Sequence, residues 1–174
     1  MADIKGKFVV LAGSLMKLYP DALKFCDDLL FEKIGKHWNE IDPNAWIDTK
    51  IFNGFMVNYA KASVSGEQAL ITLGKNIYPT IKRTTGIPPE VKTPLDMLVF
   101  SAQGFSENHR GSDVKPRKFI KLEDKHVIVQ AAAPGYSQTF VEGVFLGILE
   151  MYGIKTGKVI MIKGEPIFEY EITW

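Results

Sequence analysis

The 174-residue sequence holds one cysteine and three histidines, and has no apolar run near the roughly 20 residues that a membrane helix requires. A solitary Cys26 excludes an intrachain disulfide framework and a thiol-rich zinc site. It falls within an apolar helical pattern and reads as a small buried hydrophobe. A single thiol suits a reducing compartment, so the cytoplasm is the expected location. Charge of one sign is also missing: 21 Lys and Arg against 20 Asp and Glu leave a net charge of +1. No global field would then draw the chain to nucleic acid or to an anionic membrane surface. The apolar stretch Phe8–Met16 is preceded by Asp3 and closed by Lys17, unlike a signal peptide, and is expected to be a buried opening segment. What remains is a globular composition, 46% hydrophobic and 24% charged, of a length suited to one domain over residues 1–174.

The first part, residues 1–93, reads as helices. Pro20 suits a first helical turn, Leu23, Cys26, Leu30 and Ile34 recur at steps of three and four, and Gly35 offers a left-handed stop. Pro43 is expected to open a second helix, with Ile47, Ile51, Phe55 and Tyr59 four apart. Ser65 and Gln68 have the spacing of a capping box ahead of a third helix through Leu70, Leu73 and Ile77, which Pro79 would bend or end. Thr93, Pro94 and Asp96 start a fourth helix that runs through Leu95, Leu98, Val99 and Ala102 toward His109.

The period changes in residues 94–174. Lys118–Leu122 and His126–Ala131 are strand-like runs at hairpin spacing. Ser137 precedes a helix lined by Phe140, Val144, Ile148 and Tyr152 and closed by Gly153. Gly143 and Gly147 lie four apart on that helix, where each costs about 1 kcal/mol of propensity, so a close backbone approach is expected there. Lys158–Ile162 and Ile167–Thr173 form a last strand pair, the second alternating between polar and apolar faces. The expected class is α+β: N-terminal helices, then β-β-α-β-β, giving a four-stranded antiparallel sheet with helices packed on it.

Pro134–Gly153 (PGYSQTFVEGVFLGILEMYG) and the closing strands ending Pro166–Trp174 resemble the superfamily that joins heme-NO-binding domains to 4-vinyl-reductase-type domains and, more broadly, to TRAPP trafficking subunits. Pro94-Leu95-Asp96 through Asn108-His109-Arg110-Gly111 is similar to a related group of bacterial proteins. The resemblance implies a helix-bounded pocket against a four-stranded sheet, used for small-ligand sensing or for assembly. The heme-binding branch carries a proximal histidine whose place here, counted back from Lys115-Pro116-Arg117, falls near Gln103. Its Tyr-x-Ser-x-Arg motif should lie near Ala131–Tyr136, which reads Ala-Ala-Ala-Pro-Gly-Tyr. His109 comes about six residues late. Heme is therefore the disfavoured cofactor, and the expectation is none. The cysteine ligands of some vinyl-reductase-type domains are missing as well, and no metal site is expected.

The remaining polar groups suggest no catalysis. Ser14, Ser101 and Ser137 lack a His/Asp pattern, and Gly74-Lys75 is no phosphate loop. Residues 110–125 hold six Lys and Arg against three Asp and Glu, with Phe119 as the one aromatic, which reads as a solvated hairpin face. His109 and Arg110 could touch a ligand, though cations ending a helix also complement its dipole. His126 is expected in a half-buried sheet position, and His37 beside Trp38 on the surface. An apolar pocket would draw on Met97, Phe100, Gln103, Gly104, Phe105, His109, Arg110, Tyr136, Phe140 and Val144, with Phe145 nearby. The expected function is a non-enzymatic sensory module binding a small apolar or aromatic molecule, signalling through a homodimer or a partner protein. A TRAPP-type adaptor is the alternative, followed by a heme-binding gas sensor.

Overall fold

The computed structural model describes residues 2–131, 135–164 and 167–174. Strand β1 (Ala2–Lys5) buries alternate residues, Ala2 and Ile4. Gly6 follows where a side chain would strike the Asp42 carbonyl, and the apolar opening stretch becomes helix α1 (Lys7–Met16), with Val9, Ala12 and Met16 buried. Helix α2 (Pro20–Ile34) starts on its proline. It stops at Gly35, whose φ of 67° lets its N–H reach the Phe31 carbonyl, as the caps foretell.

Pro43 does not open a helix. Trp46–Asp48 is strand β2, antiparallel to β1, and α3 (Thr49–Ala62) begins after Asp48, whose carboxylate accepts the Lys50 N–H at 2.7 Å. The aspartate satisfies a donor that a proline upstream cannot, while Ile47 and Trp46 find ladder partners in Ile4 and Lys5. The Ser65–Gln68 box is not formed either. The Ser65 hydroxyl is taken by Ser63 Oγ at 3.0 Å, Gly66 turns at φ 56°, and α4 (Gln68–Lys75) starts after Glu67 without a side-chain cap. The chain breaks at Asn76, whose amide donates to the Thr72 carbonyl, and restarts as α5 (Ile77–Thr84). Pro79 lies in the first turn of α5, where no N–H is needed, so it neither bends nor ends a longer helix. At α6 (Pro94–Asn108) the box does form: Thr93 Oγ1 accepts the Asp96 N–H at 3.1 Å and the Asp96 carboxylate accepts the Thr93 N–H at 2.9 Å.

Strand β3 (His109–Gly111) pairs with the other edge of β1, which makes an antiparallel sheet of order β2-β1-β3 among the described residues. Periodicity does not reveal it, because strands of three or four residues are too short to show alternation. The remaining elements come in the expected order: β4 (Lys118–Glu123), β5 (His126–Gln130), α7 (Gln138–Met151), β6 (Lys158–Lys163) and β7 (Glu169–Thr173). They build a four-stranded, wholly antiparallel sheet of order β4-β5-β7-β6. The fold is α+β.

One face of this sheet is dry. Val127, Val129, Tyr170 and Ile172 are buried, and Phe145 of α7 meets Tyr170 edge-on at 5.6 Å. The other face carries His126, half-buried, whose Nε2 lies 2.8 Å from Glu171. Helices α4 and α7 touch backbone to backbone. A methyl carbon at Gly143 would collide with the Ile71 carbonyl, one at Gly147 with the Lys75 carbonyl, and one at Gly74 with the Phe140 carbonyl. The glycine pair at helical spacing thus has the close approach expected of it. A single buried apolar cluster runs from Ile4 through Met56 and Met97 to Ile172 and joins both parts of the chain. No described helix is long and apolar enough to cross a membrane.

Candidate functional site

Helices α1, α5, α6 and α7 border a partly open cavity of about 530 Å³. Helix α6 brings Phe100, Gly104, Phe105 and Asn108 to it, and α7 brings Phe140, Val141 and Val144. Phe8 and Leu11 of α1 and Ile77 and Ile81 of α5 close the far side. Such a mostly apolar hollow with few polar groups has the character and size of a small-molecule site. Gly104 lines it, and a Cβ built there would meet no atom within 4 Å.

Among the residues named from sequence, Phe100, Gly104, Phe105, His109, Tyr136, Phe140 and Val144 line this cavity. Met97, Gln103 and Arg110 do not. Met97 is fully buried in the core cluster. Gln103 is exposed beside the cavity and not in its lining, with its amide donating to Glu107 one turn on at 2.9 Å. Arg110 follows inward-facing His109 in a strand, so its side chain goes to the opposite face. There its Nε donates to Asp3 at 2.9 Å and its guanidinium covers the Trp46 ring at 4.5 Å.

His109 is the polar centre of the cavity wall. Its Nδ1 lies 2.8 Å from the Phe105 carbonyl and its Nε2 lies 2.7 Å from the Tyr136 hydroxyl, with the ring stacked 4.0 Å from Phe105. A carbonyl can only accept, so Nδ1 carries the proton and Tyr136 donates to Nε2. Burial, with a smaller effect of nearby Arg117, draws the imidazole pKa down to about 4. The helix end is therefore satisfied by a neutral ring and not by a cation. Burial also pushes the Tyr136 hydroxyl well above the usual phenol range. Phe52 and Phe140 hold that ring edge-on at 5.7 and 6.4 Å.

Arg117 is the residue that the sequence reading placed in solvent. It lies just before β4, lines the cavity, and donates from Nη1 to Ser101 Oγ at 3.0 Å. Its guanidinium lies 5.2 and 5.1 Å from the Phe105 and Phe145 rings. Extending the alternation of β4 back from half-buried Phe119 puts Arg117 on the inner face, a signal obscured by the surrounding lysines.

Other candidate groups lie elsewhere. His37 Nδ1 is 2.9 Å from Asp27, with its ring stacked on Phe31. Cys26 is buried, its thiol donates to the Leu23 carbonyl, and burial pushes its pKa up to about 12, which leaves it inert. No cluster of His, Cys, Asp and Glu fit to hold a metal occurs among the described residues.

The cavity bears directly on heme. Iron needs an axial donor turned toward it. The imidazole that lines the cavity gives its Nδ1 proton to a backbone carbonyl, as a ligating histidine also would, but its Nε2, the nitrogen that would bind iron, is taken by the Tyr136 hydroxyl. Gln103 is not in the lining and its amide is held by Glu107 at the rim. The stretch Ala131–Tyr136 is described only at its ends, residues 132–134 lying outside the described residues. As folded, the side chains of this wall do not fit heme ligation.

No protein-family model matches the chain, and no curated protein matches it. Solved structures do. One, from work on the function of heme distortion in the H-NOX family, is 11% identical, covers 98% of this chain and 95% of its own, and has a TM-score of 0.71. An Fe(II) unliganded H-NOX protein from K. algicida is 15% identical over 98% of this chain and 96% of its own, with a TM-score of 0.65. An oxygen-binding H-NOX domain related to soluble guanylate cyclases is 12% identical over 98% and 94%, also at 0.65. Identities this low speak to architecture alone, and on that count the chain has the fold of H-NOX domains.

Proposed function

We propose that this chain is a single-domain sensory module that holds a small apolar or aromatic molecule in the cavity between α1, α5, α6 and α7, without an iron ligand. The observation that carries the reading is the cavity itself: about 530 Å³, walled by aromatic and aliphatic side chains, with its histidine neutral and tied to Tyr136. The similar structures are named for heme, Fe(II) and oxygen. This chain keeps their architecture, and its own hollow carries His109, Tyr136 and Arg117 as polar groups. An adaptor of the TRAPP type calls for a filled interior, so the hollow favours sensing. The module is not an enzyme in this reading: the one hydroxyl seen on an imidazole among the described residues, Tyr136 on His109, is held protonated by burial, which leaves it a poor nucleophile.

Binding between two helix pairs would shift their packing, and a second copy or a partner signalling protein would read the shift. The exposed Ile120, Leu122, Ile160 and Ile162 on β4 and β6 supply apolar surface for such association. The cytoplasm is the setting we propose for it.

Native mass spectrometry of protein purified from its own cells tests the reading. The expected result is a mass increment of a small organic molecule, lost in Gly104→Leu, whose side chain would enter the hollow. A bare wild-type protein that also takes up no apolar compound would overturn it.

A further inference from the structure

The cavity contains a cation, Arg117, for which no counter-ion occurs among the described residues. Arg117 meets Ser101, whose hydroxyl passes its own proton to the Leu98 carbonyl at 2.7 Å, and the Tyr78 hydroxyl adjoins both. Its other neighbours are the faces of Phe105 and Phe145. The tyrosines beside it, Tyr78, Tyr136 and Tyr170, all have their hydroxyls pushed above the ordinary phenol range by burial and stay neutral. No carboxylate among the described residues pairs with Arg117. The acidic residue that lines the cavity, Glu107, is exposed at the rim and bonded to Gln103. Lys7 is also at the rim, with its ammonium over the Phe8 ring. Burial lowers the guanidinium pKa from its ordinary value, yet arginine keeps its proton at neutral pH.

A charge drawn partly out of water with no ionic partner is costly, and Arg117, half-buried against two aromatic rings, is retained more readily where something else supplies that partner. We infer that the molecule bound in this cavity is a small apolar carboxylic acid in its ionised form, its carboxylate paired with Arg117 and its hydrocarbon or aromatic body against Phe8, Phe100 and Phe140. The planar guanidinium fork matches a carboxylate, and one half-buried positive charge matches one negative charge. The inference rests on the proposed ligand-binding role of the same cavity.

Calorimetric titration at pH 7 with naphthalene-2-carboxylate and naphthalene-2-carboxamide separates the two claims. The acid is expected to bind about tenfold or more tightly than the amide, the margin of a hydrogen bond to a charged group. That preference should vanish in Arg117→Gln, survive in part in Arg117→Lys, and be unchanged in Arg110→Gln and Lys7→Gln. Equal binding of acid and amide by the wild type would overturn the inference and leave the cavity reading standing. A preference that survives Arg117→Gln, or disappears in Lys7→Gln, would overturn it as well. Binding of neither compound would count against the cavity reading and take the inference with it. Should Arg117→Gln fail to fold, the wild-type ratio and the Lys7→Gln ratio still decide.

Discussion

Gly143→Ala is expected to destabilise the protein by about 1–2 kcal/mol and to lower Tm by about 2–8 °C, although alanine is the better helix former. The two effects oppose each other. Alanine gains about 1 kcal/mol of helix propensity, and overpacking costs about 1–3 kcal/mol and occasionally more. What decides is the nature of the obstacle. The new methyl would meet the Ile71 carbonyl and Cα, which are backbone atoms and cannot rotate aside, so the helices must separate. Gly147→Ala should behave alike against Lys75. Gly104→Ala makes the same chemical change on α6 where a Cβ meets open space, so it should be neutral or stabilising by up to about 1 kcal/mol. Urea unfolding of the three variants checks the contrast. Equal stability of Gly143→Ala and wild type would mean that α4 and α7 do not meet through their backbones.

Acidification should remove about 3 kcal/mol of stability between pH 6.5 and pH 4 on account of His109 alone. Burial holds the folded-state pKa near 4, against 6.5 for an ordinary imidazole. Between those values the unfolded chain binds a proton that the folded chain refuses, so stability rises with pH. It is complete above pH 6.5 and lost as pH falls toward 4. By pH 5 about 2 kcal/mol is gone, at about 1.4 kcal/mol per pH unit. Carboxylates titrate in the lower part of this window, and His109→Gln separates their share. Unfolding free energies at pH 7 and pH 5 should fall steeply for wild type and much less for the variant. Equal slopes would place a proton on His109 in the folded state and undo its assignment as acceptor from Tyr136.

The elements readable in the sequence are those whose signals are local. Pro20 with Gly35, and Thr93 with Asp96, bound their helices through groups within four residues of the termini. The alternation of β7 and the period of α7 likewise follow from their own residues. Misreadings arise where a distant partner decides. Pro43 looks like a helix start until β1 pairs with Trp46–Asp48, and Ser65 looks like a cap until Ser63 takes its hydroxyl. The candidate site divides the same way. Phe100, Gly104, Phe140 and Val144 follow from helical spacing, because an apolar face must be covered by something. His109 and Arg117 do not, since their states depend on what covers them. An imidazole at a helix end reads as a cation until Tyr136 and the aromatic rings around it exclude water. An arginine among lysines reads as solvated until α6 and α7 close over it.

Titration of the purified protein with hemin, followed by visible absorption, puts the account to its most direct trial. With Nε2 of His109 held by Tyr136 and Gln103 outside the cavity lining, only the broad absorption of uncoordinated hemin should develop, and His109→Ala should leave it unchanged. A sharp Soret band in the wild type that disappears in His109→Ala would show that the imidazole leaves Tyr136 for iron, and would contradict the reading of this cavity as a site for an iron-free organic ligand.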